Sequence, residues 1–424
     1  MPQTPFKPLA TALAAAFLTL CASAPAVAQN IEKLKQMKVS GTDPNIPVVP
    51  QTGKNADQLR ENLKRIKLPP GFKIGLYAVV PDARSIAVAP STNMMFVGTR
   101  KTNVWAVTNR NSGDAATEVK EFAPSLKFRN PNAVCWTKDG FLIVVESNRV
   151  YTFPAAEFFY EGADVAVGEV VPLGQLIPPE EESFNHSGRI CRIGPDNKLY
   201  ITLGQPFNVQ PREKLALYTK VGIGGIVRMN QDGTGREVFA TGVRNSVGMD
   251  FNPKDKTLWF TDNQTDGMGD DIPLGEINRA TGAGQFFGYP YIVSKTRITE
   301  NGYDKDALPA NAVNPQVMTT AHAADLGMAF YTGSMFPAKY RGGFFSAQHG
   351  SWNRTKPVGA QVLFTSLKAD GTADKTEVFA EGWLDNDTGT YRGRPVDVAV
   401  AKDGSLFVSD DYAGAIYRIT YTAP

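Results

Sequence analysis

A hairpin pattern that recurs along the chain constrains its fold more than any other feature. Each copy has an apolar strand, a short turn of Asp, Asn or Gly, and a second strand rich in β-branched and aromatic residues. Turn residues of this kind between two such runs are typical of a β-hairpin. Five clear copies lie at residues 85–97, 133–145, 190–203, 247–261 and 396–408, and a degenerate copy lies at residues 326–347.

The spacing of the turns predicts the architecture. The turns at Asn93, Asp139, Asp196 and Asp255 follow one another at similar intervals, whereas the interval from Asp255 to Asp403 has room for two periods. The degenerate copy fills that interval, and each period is long enough for four strands. The sequence therefore predicts an all-β fold, a six-bladed β-propeller with four-stranded antiparallel blades. A β-sandwich with long loops is the alternative.

The N-terminus has the composition of a secretory signal peptide. An apolar, Ala-rich stretch over residues 9–20 follows a positive charge, and the small-residue triplet Ala26-Val27-Ala28 comes next. This order predicts export with cleavage before Gln29. A lipoprotein anchored through Cys21 is the alternative, although the residue in front of that cysteine is bulky where a small one is usual.

The chain is therefore expected in the periplasm or outside the cell. Residues 1–28 form the predicted signal peptide, residues 29–65 an open, polar leader, and residues 66–424 the propeller. No later segment stays apolar for the ~20 residues that a membrane span needs.

The charges of the chain are nearly balanced. Lys and Arg total 44 against 42 Asp and Glu, so the chain has no general basic field for nucleic acid. The sequence leaves the oligomeric state open.

Two cysteines, Cys135 and Cys191, follow the signal peptide. Export permits a disulfide between them. Both lie in predicted strands, however, so two buried thiols are equally compatible with the sequence. The chain has no Cys-x-x-Cys-His site for covalent haem.

Positive charge recurs just before the first strand of each predicted blade. In a propeller these places meet at one mouth of the central channel, and a set of guanidinium groups there suits a small polyanion. The alternative is that each arginine is an exposed loop residue paired with a nearby carboxylate. The residues in these places are Arg84, Arg129 with Asn130, His186 with Arg189, Arg244 with Asn245, His322 with Asp325, and Arg392 with Arg394.

An oxygen-rich, glycine-containing loop runs from Asp262 to Asp271. Such a loop can wrap a hard cation such as Ca²⁺ with carbonyls and carboxylates. Its spacing differs from that of an EF-hand, and a polar loop at a blade edge would look the same, so the loop alone leaves the metal open. The three histidines, His186, His322 and His349, lack the spacing of a zinc protease. The sequence also contains no Gly-x-Ser-x-Gly nucleophile elbow, no P-loop and no dinucleotide-binding fingerprint.

Five motifs, in the same order, resemble the soluble sugar dehydrogenases that use pyrroloquinoline quinone. The resemblance runs from about Leu68 to Tyr421 and is closest to the L-sorbosone dehydrogenase branch. It implies a propeller that binds this quinone and Ca²⁺ and oxidises a sugar-like alcohol or aldehyde group. With no haem site in the chain, it also implies a separate electron acceptor, a cytochrome or a quinone-linked partner. The motifs are Asn185–Arg189 before Gly194–Asp196, Gly242–Asn245, Gly269–Asp271 before Phe287–Tyr291, His349–Arg354, and Gly393–Val396 before Asp403–Gly404.

The same resemblance implies roles for individual residues. His186 is the implied catalytic base, with a pKa near the usual ~6.5 unless neighbours shift it. Arg244, with Asn245, is implied to lie beside the reactive quinone carbonyl, as a catalytic and cofactor-binding group. The remaining implied contacts to the cofactor are Arg100, His349, Trp352, Asn353, Lys356, Arg392 and Arg394.

The implied Ca²⁺ ligands lie in the oxygen-rich loop. The backbone carbonyls of Gln264 and Thr265 match the place where relatives bind the ion, although the Gly-Pro of those relatives is absent here. The carboxylates of Asp270 and Asp271 are further candidates in the same loop.

The substrate and two rival functions stay open at the level of sequence. Specificity is expected to lie in the loops Gln205–Leu215 and Asp266–Glu276. A Ca²⁺-dependent propeller lactonase would share the fold and the metal but needs no anion-binding arginines. A propeller that only binds a partner is the second rival.

Overall fold

The computed structural model describes residues 37–41, 45–161 and 164–423. The predicted signal peptide and its cleavage site lie outside the described residues. Three elements precede the first blade: β1 (Lys38–Gly41), α1 (Lys54–Leu63) and β2 (Phe72–Val79).

Six blades follow, and each contains four antiparallel strands. Blade 1 has β3 (Ile86–Val88), β4 (Met94–Val97), β5 (Val104–Thr108) and β6 (Glu118–Phe122). Blade 2 has β7 (Ala133–Trp136), β8 (Phe141–Val145), β9 (Val150–Pro154) and β10 (Asp164–Val171). Blade 3 has β11 (Cys191–Ile193), β12 (Leu199–Leu203), β13 (Gly225–Met229) and β14 (Glu237–Thr241), with α2 (Leu215–Val221) between β12 and β13.

The later blades carry longer insertions. Blade 4 has β15 (Met249–Phe251), β16 (Leu258–Asp262), β17 (Gly275–Ala280) and β21 (Val317–Thr319). Between β17 and β21, the short strand β18 (Gln285–Phe286) pairs in parallel with β14 of blade 3, and β19 (Ile292–Val293) pairs with β20 (Thr296–Arg297) in a separate two-stranded sheet. Blade 5 has β22 (Asp325–Phe330), β23 (Phe344–Gln348), β24 (Gln361–Leu367) and β25 (Ala373–Glu381). After β26 (Leu384–Asp385) and β27 (Thr390–Tyr391), blade 6 has β28 (Pro395–Val400), β29 (Leu406–Asp410) and β30 (Ala415–Tyr421). Single 3₁₀ segments lie at Pro124–Leu126, Pro179–Glu181, Arg212–Lys214, Glu300–Lys305 and Ala338–Tyr340.

The six blades form a closed ring, which confirms the predicted propeller. The first strands of consecutive blades contact one another in a circle, and β28 of blade 6 returns to β3 of blade 1. Strand β2 supplies the fourth strand of blade 6 by pairing with β30. The degenerate copy at residues 326–347 forms the inner strands β22 and β23 of blade 5.

The apolar core lies between the blades, one cluster for each pair of neighbours. Strand β4 shows why alternating side chains produce this arrangement. Phe96 packs toward blade 2 with Phe122 and Phe153, whereas Met95 and Val97 pack on the opposite face toward blade 6. Each blade is thus buried on both faces by its neighbours, and no blade has a core of its own.

Local turn chemistry forms the hairpins. The carboxylate of Asp403 accepts hydrogen bonds from the backbone N–H (3.0 Å) and hydroxyl (2.7 Å) of Ser405, and Asp255 binds Thr257 in the same way. Side chains of this type favour turns because they satisfy nearby backbone donors. The turns predicted from the sequence therefore lie where the strands reverse.

Part of the leader is folded, where the sequence predicted an open segment. Ala56, Leu59 and Leu63 form one buried stripe of α1 and join the core between blades 5 and 6. Their spacing is that of a helix face, and packing of this stripe accounts for the order of an otherwise polar segment.

The disulfide that the sequence left open is present, between Cys135 of β7 and Cys191 of β11. It joins the inner strands of blades 2 and 3. No helix among the described parts of the chain is long and apolar enough to cross a membrane.

Candidate functional site

A cavity of about 1030 Å³, including its open side, lies at the mouth where the loops before the inner strands converge. Eight of the residues proposed from the sequence line it together, although they come from four different blades. They are Arg100, His186, Arg244, Asn245, Gln264, His349, Trp352 and Asn353. Arg84 and His322, noted only as members of the charged set, also line this cavity.

Three other proposed cofactor residues lie outside the cavity lining. The guanidinium of Arg392 donates to Asp385 (2.9 Å), and Lys356 is exposed beside a separate surface groove. Arg394 donates to the backbone carbonyls of His349 (2.9 Å) and Gly350 (2.6 Å). Arg394 therefore supports the loop that carries His349.

His186 is held by its backbone and by one hydrogen bond. Its φ of 53° lies in the left-handed region, which a side chain with a Cβ seldom adopts. The ring Nδ1–H donates to the carbonyl of Gln205 at 2.5 Å. A Cβ at Gly204 would lie only 2.4 Å from Asn245 Oδ1 and 2.6 Å from the His186 carbonyl, so close packing at this point requires glycine.

Burial and neighbouring charge keep this histidine neutral. Removal from water lowers the pKa of His186 to about 4, and the charge of Arg244 acts in the same direction. Because Nδ1 carries the proton, Nε2 has a free lone pair at neutral pH. The pKa of His186 is therefore lower than the value near ~6.5 that the sequence led us to expect.

Asp262 at the end of β16 orients the next two cavity residues. Its two carboxylate oxygens accept the backbone N–H groups of Arg244 (3.0 Å) and Asn245 (2.7 Å). Burial raises the pKa of Asp262 to about 6, although these hydrogen bonds oppose the rise. The side-chain oxygen Oδ1 of Asn245 is buried and has no hydrogen-bond partner in the described structure.

A second acidic residue, Asp411, orients the histidine of blade 5. His349 Nε2–H donates to one oxygen of Asp411 (2.8 Å), and the guanidinium of Arg84 donates to the other (2.5 Å). Burial alone would raise the pKa of Asp411, but Arg84 and His349 hold it well below its usual range. The sequence reasoning missed Asp411, whose position just after β29 corresponds to that of Asn263 after β16.

His322 and Asn353 fasten the oxygen-rich loop to blade 5. His322 Nε2–H donates to the carbonyls of Gly269 (2.9 Å) and Ile272 (3.0 Å). The amide of Asn353 donates to His322 Nδ1 (3.3 Å) and to Asp266 (2.6 Å). Both ring nitrogens of His322 are engaged, which makes it a structural group in this arrangement.

The four proposed metal ligands are dispersed. Asp270 accepts the backbone N–H of Thr355, and Asp271, whose side chain is 91 % exposed, pairs with Arg354 at 3.2 Å. Thr265 is buried, outside the cavity lining. The carbonyl of Gln264 accepts a hydrogen bond from Arg244 at 2.7 Å. Across residues 37–41, 45–161 and 164–423, no group of three or more His, Cys, Asp and Glu side chains is arranged to hold a metal ion.

Arg100 differs from the other cavity arginines. It is exposed at the mouth and lies 5.4 Å from the ring centre of Phe184. Within the described chain, no carboxylate forms an ion pair with its side chain, whereas Arg84 pairs with Asp411. Its donors are therefore available to an anion that enters the cavity.

The fold and this cavity define a class: a β-propeller with a cavity lined by arginine and histidine at one mouth. The chain belongs to the glucose/sorbosone dehydrogenase family, whose sequence model matches residues 175–418.

Two relatives are similar to this chain in sequence. The chain is 38% identical over 248 residues to an uncharacterized protein of Borreliella burgdorferi and 25% identical over 268 residues to the aldose sugar dehydrogenase YliI of Escherichia coli. Each match covers 57% of this chain and 62% of the relative, so the chain spans less than two thirds of the length of these relatives.

Solved structures share the propeller. The holo pyrroloquinoline quinone domain of a pyranose dehydrogenase from Coprinopsis cinerea superposes with a TM-score of 0.67 at 18% identity, covering 84% of this chain and 97% of that one. An iodide structure of a carbohydrate-active enzyme of family AA12 from Trichoderma reesei gives a TM-score of 0.69 at 20% identity, with coverages of 84% and 98%. At these identities the likeness establishes the fold.

Proposed function

We propose that this protein is a dehydrogenase that uses pyrroloquinoline quinone to oxidise a sugar or a sugar-derived alcohol or aldehyde, such as an aldose or sorbosone. Family membership and the names of the relatives support the quinone and the sugar. The observation that carries the proposal is the neutral, hydrogen-bonded His186 in a cavity that also contains an unpaired guanidinium.

The residues of the cavity fit the quinone. Pyrroloquinoline quinone carries three carboxylates, which forked guanidinium donors bind well. Arg100 has donors free for such a group, and the buried Oδ1 of Asn245 lacks a partner. Trp352, 77 % exposed at the mouth, offers a flat apolar surface to a planar ring. We assign cofactor binding to these three residues together with His349.

His186 acts as the general base. The bound quinone supplies the chemistry of accepting a hydride from the substrate carbon. His186 Nε2 accepts the proton of the substrate hydroxyl, while the carbonyl of Gln205 keeps the proton of the ring on Nδ1. The low pKa keeps the base unprotonated before each turnover, and the positive charge of Arg244 contributes to that state.

The residues proposed for Ca²⁺ do not fit that ion as they stand. The carbonyl of Gln264 is used by Arg244, and the carboxylates of Asp270 and Asp271 are used by Thr355 and Arg354.

We also propose that the protein is exported and passes electrons to a separate acceptor. The signal-like N-terminus and the Cys135–Cys191 disulfide support an oxidising compartment. Intact mass of protein recovered from the periplasm tests this, since a chain beginning at Gln29 supports export by the general route and a diacylated Cys21 contradicts it.

The central experiment is reconstitution. Apo protein is loaded with the quinone, and reduction of an artificial dye is followed with a panel of aldoses, sorbosone and simple alcohols. Sugar-dependent dye reduction that requires the quinone supports the proposal. Lactone hydrolysis without quinone would favour the lactonase instead, and quinone-independent glycan binding without turnover would favour a binding propeller.

A further inference from the structure

The guanidinium of Arg244 is enclosed by five oxygen atoms. Nε donates to the carbonyl of Asn208 (2.9 Å), and one Nη donates to the carbonyls of Asn263 (3.2 Å) and Gln264 (2.7 Å). The other Nη donates to Asn208 Oδ1 (3.0 Å) and Asp266 Oδ2 (3.4 Å). These five contacts match the five N–H donors of an arginine, and the residue is only 3% exposed.

The surrounding groups are themselves fixed. The backbone N–H of Asp266 donates to Asn208 Oδ1 (2.8 Å), and the Asn208 amide donates back to the Asp266 carbonyl (3.1 Å). Asn353 holds the second carboxylate oxygen of Asp266 at 2.6 Å. We call the oxygens of Asn208, Asn263, Gln264 and Asp266 the oxygen cage. Asn208 and Asp266 of the cage are thus held by contacts that do not involve the arginine that fills it.

Such a set of oxygens is typical of a cation site. Carbonyls, an amide oxygen and a carboxylate are the ligands that Ca²⁺ prefers, at 2.3–2.6 Å. The cage includes the carbonyl of Gln264, one of the two carbonyls assigned to Ca²⁺ from the sequence. An ion at that distance from this oxygen would lie within ~5 Å of the Arg244 nitrogen that is 2.7 Å from the same oxygen. Two cations cannot share this oxygen at such distances without strong repulsion.

We propose that Arg244 replaces the divalent cation at this site, so that this protein binds its quinone without Ca²⁺. The proposal rests on the proposed function in one respect, that the cavity binds the quinone. One carboxylate, Asp266, balances the single charge of the guanidinium. Asp262, the carboxylate at the end of β16, directs its two oxygens to the backbone N–H groups of Arg244 and Asn245 instead of into the cage.

The first test measures quinone affinity with and without metal. The apo protein is titrated with pyrroloquinoline quinone by calorimetry in excess EDTA and again in excess CaCl₂. Equal dissociation constants support the proposal, and binding that requires CaCl₂ overturns it. Absence of quinone binding in both buffers would contradict the proposed function instead.

A second measurement decides the matter without the quinone. Tb³⁺ is used as a luminescent substitute for Ca²⁺, with Trp352 at the cavity mouth as the sensitising group. The parent protein is expected to give no sensitised emission that CaCl₂ displaces. A one-to-one site with emission displaced by CaCl₂ would overturn the replacement, whatever the quinone result.

Substitution of the arginine tests the cage directly. Arg244→Met keeps most of the side-chain volume and removes the charge, so the variant is expected to gain one Ca²⁺ site by calorimetry. Adding Asp266→Asn should lower that new affinity at least ~10-fold, since a carboxylate ligand is lost. Arg100→Met is the matched control, because Arg100 lies in the same cavity outside the cage and its loss should create no site. An Arg244→Met variant with a native circular dichroism spectrum and no Ca²⁺ binding would contradict the cage as a cation site.

Discussion

A single backbone carbonyl decides which nitrogen of His186 is available for proton transfer. The carbonyl of Gln205 takes the Nδ1 proton, and burial beside Arg244 keeps the ring neutral. His349 has a different environment, because its Nε2 proton is held by Asp411. Both ring nitrogens of His322 form hydrogen bonds with other residues of the protein. His186 therefore presents the free lone pair of Nε2 beside the cavity, whereas His349 directs its Nε2–H to Asp411 and has only Nδ1 as an acceptor.

Replacing this base should separate catalysis from binding. His186→Gln is expected to lower turnover at saturating substrate by roughly 10²–10⁴-fold, the range for loss of general-base catalysis, while quinone affinity stays unchanged. His322→Gln serves as the control for a histidine in the same cavity. Steady-state dye reduction and quinone titration provide the two readouts. Near-parental turnover in the His186 variant would disprove the assigned role.

The titration of His186 gives an independent prediction. Burial lowers its pKa to about 4, so the ring should be neutral above that pH and become protonated only as the pH falls through it. The unfolded chain binds this proton already near the usual ~6.5. The contribution of His186 to stability is therefore present above that value and is lost as the pH falls from ~6.5 toward 4. NMR of ring-labelled apo protein measures the value, and a pKa near 6.5 would contradict the burial argument.

The arginines of the mouth should differ in their effect on quinone affinity. Arg100→Ala removes an unpaired guanidinium at the cavity mouth and is expected to weaken binding roughly 10- to 100-fold. Arg392→Ala removes one that is already paired with Asp385 and should leave binding unchanged. Titration of both variants in parallel checks this. Equal losses in the two would mean that general charge, rather than contact, attracts the cofactor.

These residues also show how far the sequence could predict the site. The motifs around His186 and Asn245 gave residues of the cavity lining because each lies just before the first strand of a blade, where position follows from the repeat, and His349 directly follows the second strand of blade 5. Arg392 and Lys356 belong to similar motifs, but their side chains turn to local partners that no linear pattern specifies. Asp411 was missed for the same reason, since its function depends on two residues distant in sequence.

At the scale of elements, contacts between loops define the site. The oxygen-rich loop after β16 is fastened to blade 5 by Arg354, which donates to the backbone carbonyls of Asp270 and Ala321. Strand boundaries were predictable because turn chemistry is local. The contacts between loops of different blades were not predictable from the sequence, because they form only when the ring has closed.

The disulfide between β7 and β11 should be the strongest single link between two blades. It closes a segment of 56 residues in the unfolded chain, and the loss of that constraint costs about 4 kcal/mol in the chain-entropy view. The double variant Cys135→Ser, Cys191→Ser is expected to unfold at lower denaturant concentration by that free energy. Reduced parental protein is the matched control. Equal stability of oxidised parent and double variant would contradict the prediction.

At the scale of the whole molecule, the six blades share their cores. An apolar cluster joins each pair of neighbouring blades, and the cluster between blades 5 and 6 includes residues of both β2 and β30. Stability should therefore be a property of the closed ring, with a single cooperative transition.

A substitution in β2 tests this cooperativity. Val79 is 4% exposed in the core between blades 5 and 6. Val79→Asp would bury an unpaired carboxylate and should lower the free energy of unfolding by ~4 kcal/mol or more. Lys73→Asp, at an exposed position of the same strand, is the control. Calorimetry should show one transition at a lower Tm, and two separate transitions would mean that the remaining blades stay folded alone.

The pairing of β2 with β30 also sets an order of events during biosynthesis. Phe72 pairs with Tyr421, so blade 6 is incomplete until almost every other strand has been made. Contacts between such distant residues form slowly, and the apolar faces of an open ring are prone to aggregation while they wait. A nascent chain of this design cannot close its ring until synthesis is nearly complete, so the ring stays open on the ribosome until then.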